Sequence, residues 1–178
     1  MIERKILSQL SYDKTNFIVV CDYNNVFIDL DNTKGILKRP QIANTPDMLY
    51  IDDTKQEIWF VEFKSSKKEN LEAWKEKVKL RKKIFAGLFL TYEIFCEKVC
   101  DYKDYDKFYF IVYSKEKFES SEDELLEMFD DESHRSIEFG LEDLKPQFVK
   151  EIFTEDCEEL KKLFQHRFNI DFTKENNE

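Results

Sequence analysis

The spacing of apolar residues changes several times along this chain, and each change predicts an element. Ile2, Ile6, Leu7 and Leu10 recur at helical spacing and predict a short N-terminal amphipathic helix. From Asn16 to Leu30 β-branched and aromatic residues predominate, with Tyr23-Asn24-Asn25 as a turn between two strands. Gly35, Pro40 and Pro46 mark a loop. Two apolar runs follow, Met48 to Ile51 and Ile58 to Phe63, separated by the polar stretch Asp52 to Glu57, a pattern that predicts a β-hairpin. Both runs are apolar on both faces, so their strands should lie in the middle of a sheet covered on two sides.

From Glu69 to about Cys100 the period becomes helical, with Leu71, Trp74, Val78 and Phe85 forming a buried stripe and Gly87 a place where the helix can bend or divide. Lys107 to Ser114 reads as another buried strand, Ser120 to Glu124 as a helix start, and Ser136 to Leu141 as a short strand. Thr154 is expected to cap a last helix, because Thr154 to Cys157 resembles a capping box. The tail beyond Phe172 is polar. No repeat or linker divides the chain, and 178 residues suit one domain.

Composition narrows the function classes. A hydrophobic content of 42%, with 17 Phe and only 3 Gly and 3 Pro, describes a folded globular chain. No signal peptide or span of about 20 apolar residues is visible, which predicts a cytoplasmic protein with no membrane partner. Cys21, Cys96, Cys100 and Cys157 lack paired zinc-ligand spacing and are expected to be free thiols. Phosphate-cradling glycine loops and metalloprotease or hydrolase motifs are absent.

The net charge of −10 argues against nucleic acid until its distribution is considered. Between Lys67 and Lys83 eight basic residues face three acidic ones, a local charge of +5 on an otherwise acidic body. Lys75, Lys79 and Lys82 recur at three- and four-residue steps, so they project from one side of the helix as candidate phosphate contacts. The alternative is a solvated helix face.

The chemistry concentrates at one end of the hairpin. Pro46-Asp47 is followed after fourteen residues by Glu62-Phe63-Lys64. A [DE]xK tripeptide occurs at five other places, so the tripeptide alone decides nothing and its geometry matters more. If Thr54-Lys55 forms the tip, Ile51 faces Ile58, Leu49 faces Phe60 and Asp47 faces Glu62. Opposed residues point to the same side of a sheet, and Lys64 joins them because side chains alternate with period two. Two close carboxylates repel and suit a hard cation such as Mg²⁺, with Mn²⁺ as a substitute, bound also by waters and substrate phosphate oxygens. Such an ion can activate water and stabilise charge on phosphorus, while Lys64 orients or deprotonates that water or neutralises developing charge. A salt-bridged cluster in which Lys64 only balances two acids is the alternative.

Pro46-Asp47, Glu62-x-Lys64 and the elements around them resemble the PD-(D/E)xK nucleases, which include restriction enzymes, junction resolvases and RecB-like exonucleases. The resemblance covers roughly the first two-thirds of the chain. It implies an α/β fold with a restriction-endonuclease-like α-β-β-β-α-β core and a central mixed sheet flanked by helices. The core would span about 1–114, a C-terminal extension with helical additions about 115–172, and a polar tail 173–178. The resemblance also implies Asp47 and Glu62 as metal ligands, Lys64 as the catalytic lysine, and Glu3 on the first helix as the match for an additional acid. The Gln-xxx-Tyr motif of RecB-like members is missing from the helix after Lys64, which points to an endonuclease. The function implied is Mg²⁺-dependent hydrolysis of DNA phosphodiesters, with RNA a second polynucleotide partner to consider. The rival is an inactive version of the fold that acts as a nucleic-acid- or protein-binding module, its acidic body suiting a protein partner, with a homodimer also to consider.

Overall fold

The computed structural model describes residues 3–14, 18–21, 23, 25–30, 32, 45–65, 74–96, 102–114 and 139–172. Strand β1 (Glu3–Ile6) leads directly into the four-residue helix α1 (Leu7–Leu10). The expected N-terminal helix is therefore mostly strand: residues 3–6 pair with β4 (Val26–Asp29), Glu3 opposite Asp29 and Ile6 opposite Val26. An isolated helix of nine residues is marginal, and tertiary pairing overrides its weak periodicity. The two strands expected between 16 and 30 do not pair with each other. Strand β3 (Ile18–Val19) joins β2 (Tyr12–Asp13) in a separate two-stranded sheet, while β4 enters the large one.

The large sheet has six strands in the order β1-β4-β5-β6-β7-β8. Strands β5 (Met48–Asp52) and β6 (Glu57–Lys64) form the predicted hairpin, with Ile51 opposite Ile58 and Leu49 opposite Phe60. Its turn is closed by Lys55 N donating to Asp52 Oδ1 at 2.8 Å, with Gln56 at φ 52°. Pairing is antiparallel from β1 through β6 and parallel from β6 to β7 (Asp106–Tyr113) and on to β8 (Glu151–Asp156). The protein is thus α/β with a mixed sheet.

Helix α2 (Trp74–Cys96) connects β6 to the parallel β7 and runs through Gly87 without division. Its buried face consists of Leu80, Ile84 and Leu90, packed with Leu49, Phe60 and Ile111 of the sheet. This corrects the expected stripe. Trp74 is 77% exposed and Phe85 43% exposed, so the helix is rolled relative to the reading from apolar spacing. Gly87 explains the roll: a Cβ there would stand 2.9 Å from Pro46 ring carbons and 3.1 Å from Phe60, so only glycine lets the helix backbone approach the start of β5 so closely.

The opposite face of the sheet carries α1 and helix α3 (Cys157–Phe168), with Leu160 and Phe164 buried against Trp59, Phe108 and Phe110. Strand β8 went unpredicted because Thr154 to Cys157 mimics a helix start. The actual cap is Asp156, whose side chain accepts from Glu158 N and Glu159 N at 2.9 and 3.0 Å. The C-terminal part thus supplies a strand of the central sheet as well as a helix. At the far end of α3, Arg167 donates to Glu57, which also accepts from Trp59 Nε1. A disulfide joins Cys21 to Cys157 across a Cα separation of 5.5 Å, so these two are not free thiols. Sequence spacing hid this pairing, since the two cysteines lie 136 residues apart.

The expected helix start at Ser120 to Glu124, the helix residues 69–73 and 97–100, Lys67, Lys68 and the tail 173–178 lie outside the described residues. Residues 139–140 of the expected strand Ser136 to Leu141 form a turn leading into a 3-10 turn over Glu142–Leu144. No described helix is long and apolar enough to cross a membrane.

Candidate active site

Hairpin register and the roll of α2 together build one charged cluster on the α2 side of the sheet. Asp47 lies immediately before β5 and is held on two sides. Its main-chain oxygen accepts from Leu30 N at 3.3 Å, and its Oδ2 accepts from Phe63 N at 2.7 Å. Glu62 follows Phe60 by two residues on β6, so its side chain shares the face of that core residue, and it is 1% exposed. A buried carboxylate needs partners for both oxygens. Here Oε1 meets Lys64 Nζ at 3.0 Å and Oε2 meets Lys83 Nζ at 2.7 Å.

Lys83 also reaches Asp47 Oδ1 at 3.2 Å. One ammonium therefore contacts both acids and holds the two contacted oxygens within about 6 Å of each other. On the other side, Lys64 lies 3.5 Å from Glu76 Oε2, and Glu76 Oε1 accepts from Lys79. The result is an alternating string of three carboxylates and three ammoniums: Asp47, Lys83, Glu62, Lys64, Glu76, Lys79.

Burial by itself would depress the Lys64 ammonium, and repulsion from Lys83 adds to that. The charge and hydrogen bond of Glu62, with the charge of Glu76, outweigh both and hold Lys64 above its ordinary value. Glu76 is likewise pushed up by burial, but the Lys79 hydrogen bond and the Lys64 charge bring it below the usual carboxylate range. Lys64 is thus a protonated donor in this arrangement.

No family model matches the chain, and no curated protein or solved structure matches it.

Asp47, Glu62 and Lys64 are brought together as expected from their register. Glu3 is not on a helix; it sits on β1, separated from β5 by β4. Lys75, Lys79 and Lys82 are all exposed on α2, with Lys79 engaged by Glu76. Sequence reasoning missed Lys83 and Glu76 as members of the cluster. Gly87 was the available signal: the smallest residue of the helix marks the side of closest approach, and Lys83 lies one turn before it on that side.

Among the described residues no group of three or more His, Cys, Asp and Glu is disposed to hold a metal ion. Mg²⁺ is commonly held by one or two carboxylates and completed by waters and substrate phosphate oxygens. Asp47 and Glu62 supply such a pair.

Proposed function

We propose that this protein is a Mg²⁺-dependent nuclease of the PD-(D/E)xK type that hydrolyses DNA phosphodiesters, with Asp47 and Glu62 holding the ion and Lys64 acting on the reacting phosphate. The observation that carries this reading is the convergence of Asp47 and Glu62 on a single cation position, with Lys64 beside them. The succession β4, β5, β6, α2, β7 supports it, because it follows the β-β-β-α-β part of the expected restriction-endonuclease-like core. Glu3 has no part in this reading.

The ion would supply Lewis acidity toward a phosphate oxygen. The rest of the chemistry belongs to the chain. Glu62 and Asp47 would hold the cation; packing and the Phe63 amide fix their direction at the end of two central strands. Lys64, as an ammonium, donates to the attacking water or to a phosphoryl oxygen and stabilises the charge that develops there.

Calorimetric titration with Mn²⁺ tests the ligand assignment. Asp47→Asn should lower affinity at least about tenfold and abolish cleavage of a fluorescent duplex. The fold should survive, because the asparagine carbonyl still accepts from Phe63 N. Equal affinity in wild type and variant would remove Asp47 from the site.

Lys75, Lys79 and Lys82 lie on the helix that also carries Glu76 and Lys83, which places a basic edge beside the cluster. Reversing all three charges should weaken DNA binding most at low salt. The slope of log affinity against log salt should fall by about one unit for each phosphate no longer neutralised. The single-turnover rate of bound substrate should stay nearly constant when only Lys75 and Lys82 are reversed, since Lys79 holds Glu76 beside Lys64. Unchanged salt dependence would identify a solvated face.

A second reading is favoured by Lys83 itself. Its ammonium already bridges both acids, as expected of an inactive fold whose carboxylates are held by an ion-pair network. The same calorimetry separates the two, since that fold binds no metal at this position.

A further inference from the structure

We infer that Lys83 is a built-in counter-ion that competes with a divalent cation for Asp47 and Glu62. The inference rests on the reading of those two acids as metal ligands, and it assigns a role to a residue outside the Pro-Asp and Glu-x-Lys pattern.

Glu62 sets the demand for positive charge. At 1% exposure this carboxylate is removed from water, and each of its oxygens contacts its own ammonium, Lys64 on Oε1 and Lys83 on Oε2. The two lysines are not equivalent. Lys64 spans Glu62 and Glu76, whereas Lys83 spans Glu62 and Asp47. Lys83 Nζ thus touches one oxygen from each proposed ligand, the pair of atoms a bridging cation would take. A small divalent ion and an ammonium cannot share those oxygens: the contact distances overlap and the charges repel.

The placement of Lys83 is built into the backbone. Gly87, one turn later on α2, packs against Pro46, the neighbour of Asp47. This approach fixes the height of the helix over the strand end, and it sets Lys83 over the two acids. The side chain is 16% exposed, so its charge is poorly hydrated and depends on these carboxylates for compensation.

The metal-free site is therefore neutralised from within, and ion binding requires Lys83 to leave. Its displaced ammonium would remain on α2 beside the site, available to a bound phosphate. Metal and polynucleotide should then bind with positive coupling, each favouring the arrangement in which Lys83 has left the acids.

Two measurements on the full chain test this. In the first, Mn²⁺ is titrated calorimetrically into wild type, Lys83→Gln and Lys83→Arg. Glutamine keeps a hydrogen-bond donor for the carboxylates but removes the charge, so affinity should rise at least about tenfold. Arginine keeps the charge and should bind no more tightly than wild type. In the second, which needs no neutral variant to fold, the Lys83 side-chain ¹H–¹³Cε signal of wild type is assigned with the help of Lys83→Arg and followed during Mg²⁺ titration. It should shift together with the carboxyl signals of Asp47 and Glu62. Affinity in Lys83→Gln no higher than wild type, or a Lys83 signal that stays still while the carboxyl signals move, overturns the inference and leaves the metal site standing. Absence of Mn²⁺ binding in every form overturns the metal reading and this inference together.

Discussion

Replacing Lys64 with alanine should slow single-turnover cleavage of a DNA duplex in Mg²⁺ by roughly 10²–10⁴-fold, the usual worth of a positioned proton donor or charge stabiliser. The expectation follows from the contacts of the ammonium. In the metal-free chain Glu62 and Glu76 hold Lys64 above its ordinary value, against burial and the repulsion of Lys83. Removal of Lys64 does not orphan Glu62, whose other oxygen keeps Lys83 in the metal-free chain and would meet the ion in the loaded one. The fold and metal affinity should therefore persist while the rate falls. Mn²⁺ affinity should not drop, because a nearby positive charge has been taken away. Lys64→Arg should restore part of the rate, since it returns a cation with different reach and shape. A variant that folds, binds Mn²⁺ and cuts at the wild-type rate would remove Lys64 from the chemistry.

The largest effect on stability is expected at Phe164. This residue is fully buried on α3, and its ring packs edge-on against Phe27, Trp59, Phe168 and Phe172 and at a tilt against Tyr50. Phe164→Ala should cost about 3–5 kcal/mol, seen in urea denaturation as a lower midpoint at unchanged slope. Phe148, 42% exposed, provides the control: its alanine variant should cost well under about 1 kcal/mol. A Phe164→Ala midpoint equal to wild type would mean that α3 is an appendage. The packing requires the opposite, because α3 buries Leu160 and Phe164 on the sheet face opposite the charged cluster.

That role of α3 was hidden in the sequence for a definable reason. The chain from Glu151 to Asp156 contains only two strongly apolar residues, Ile152 and Phe153, and ends in a run of acids that imitates a helix N-terminus. Its strand state is imposed by parallel pairing with β7, a long-range interaction that local spacing does not encode. The hairpin was legible because a polar stretch lies between two apolar runs, and placing Thr54-Lys55 at its tip fixes both register and facing. Asp47, Glu62 and Lys64 followed from it. Lys83 did not, since Arg81, Lys82 and Lys83 differ only in which way the helix is rolled. The large apolar side chains of Trp74 and Phe85 pointed to the wrong roll, and the small Gly87 carried the right one.

The bond between Cys21 and Cys157 gives the chain a covalent topology distinct from its fold. Strands β4 through β8 and helix α2 all lie within one closed ring, as do Asp47, Glu62, Lys64 and Lys83. A single protease cut anywhere in that ring opens it without releasing a fragment. The nicked chain keeps its pieces linked, at effectively the intact mass, and separates into two only when a reductant opens the sulfur bridge.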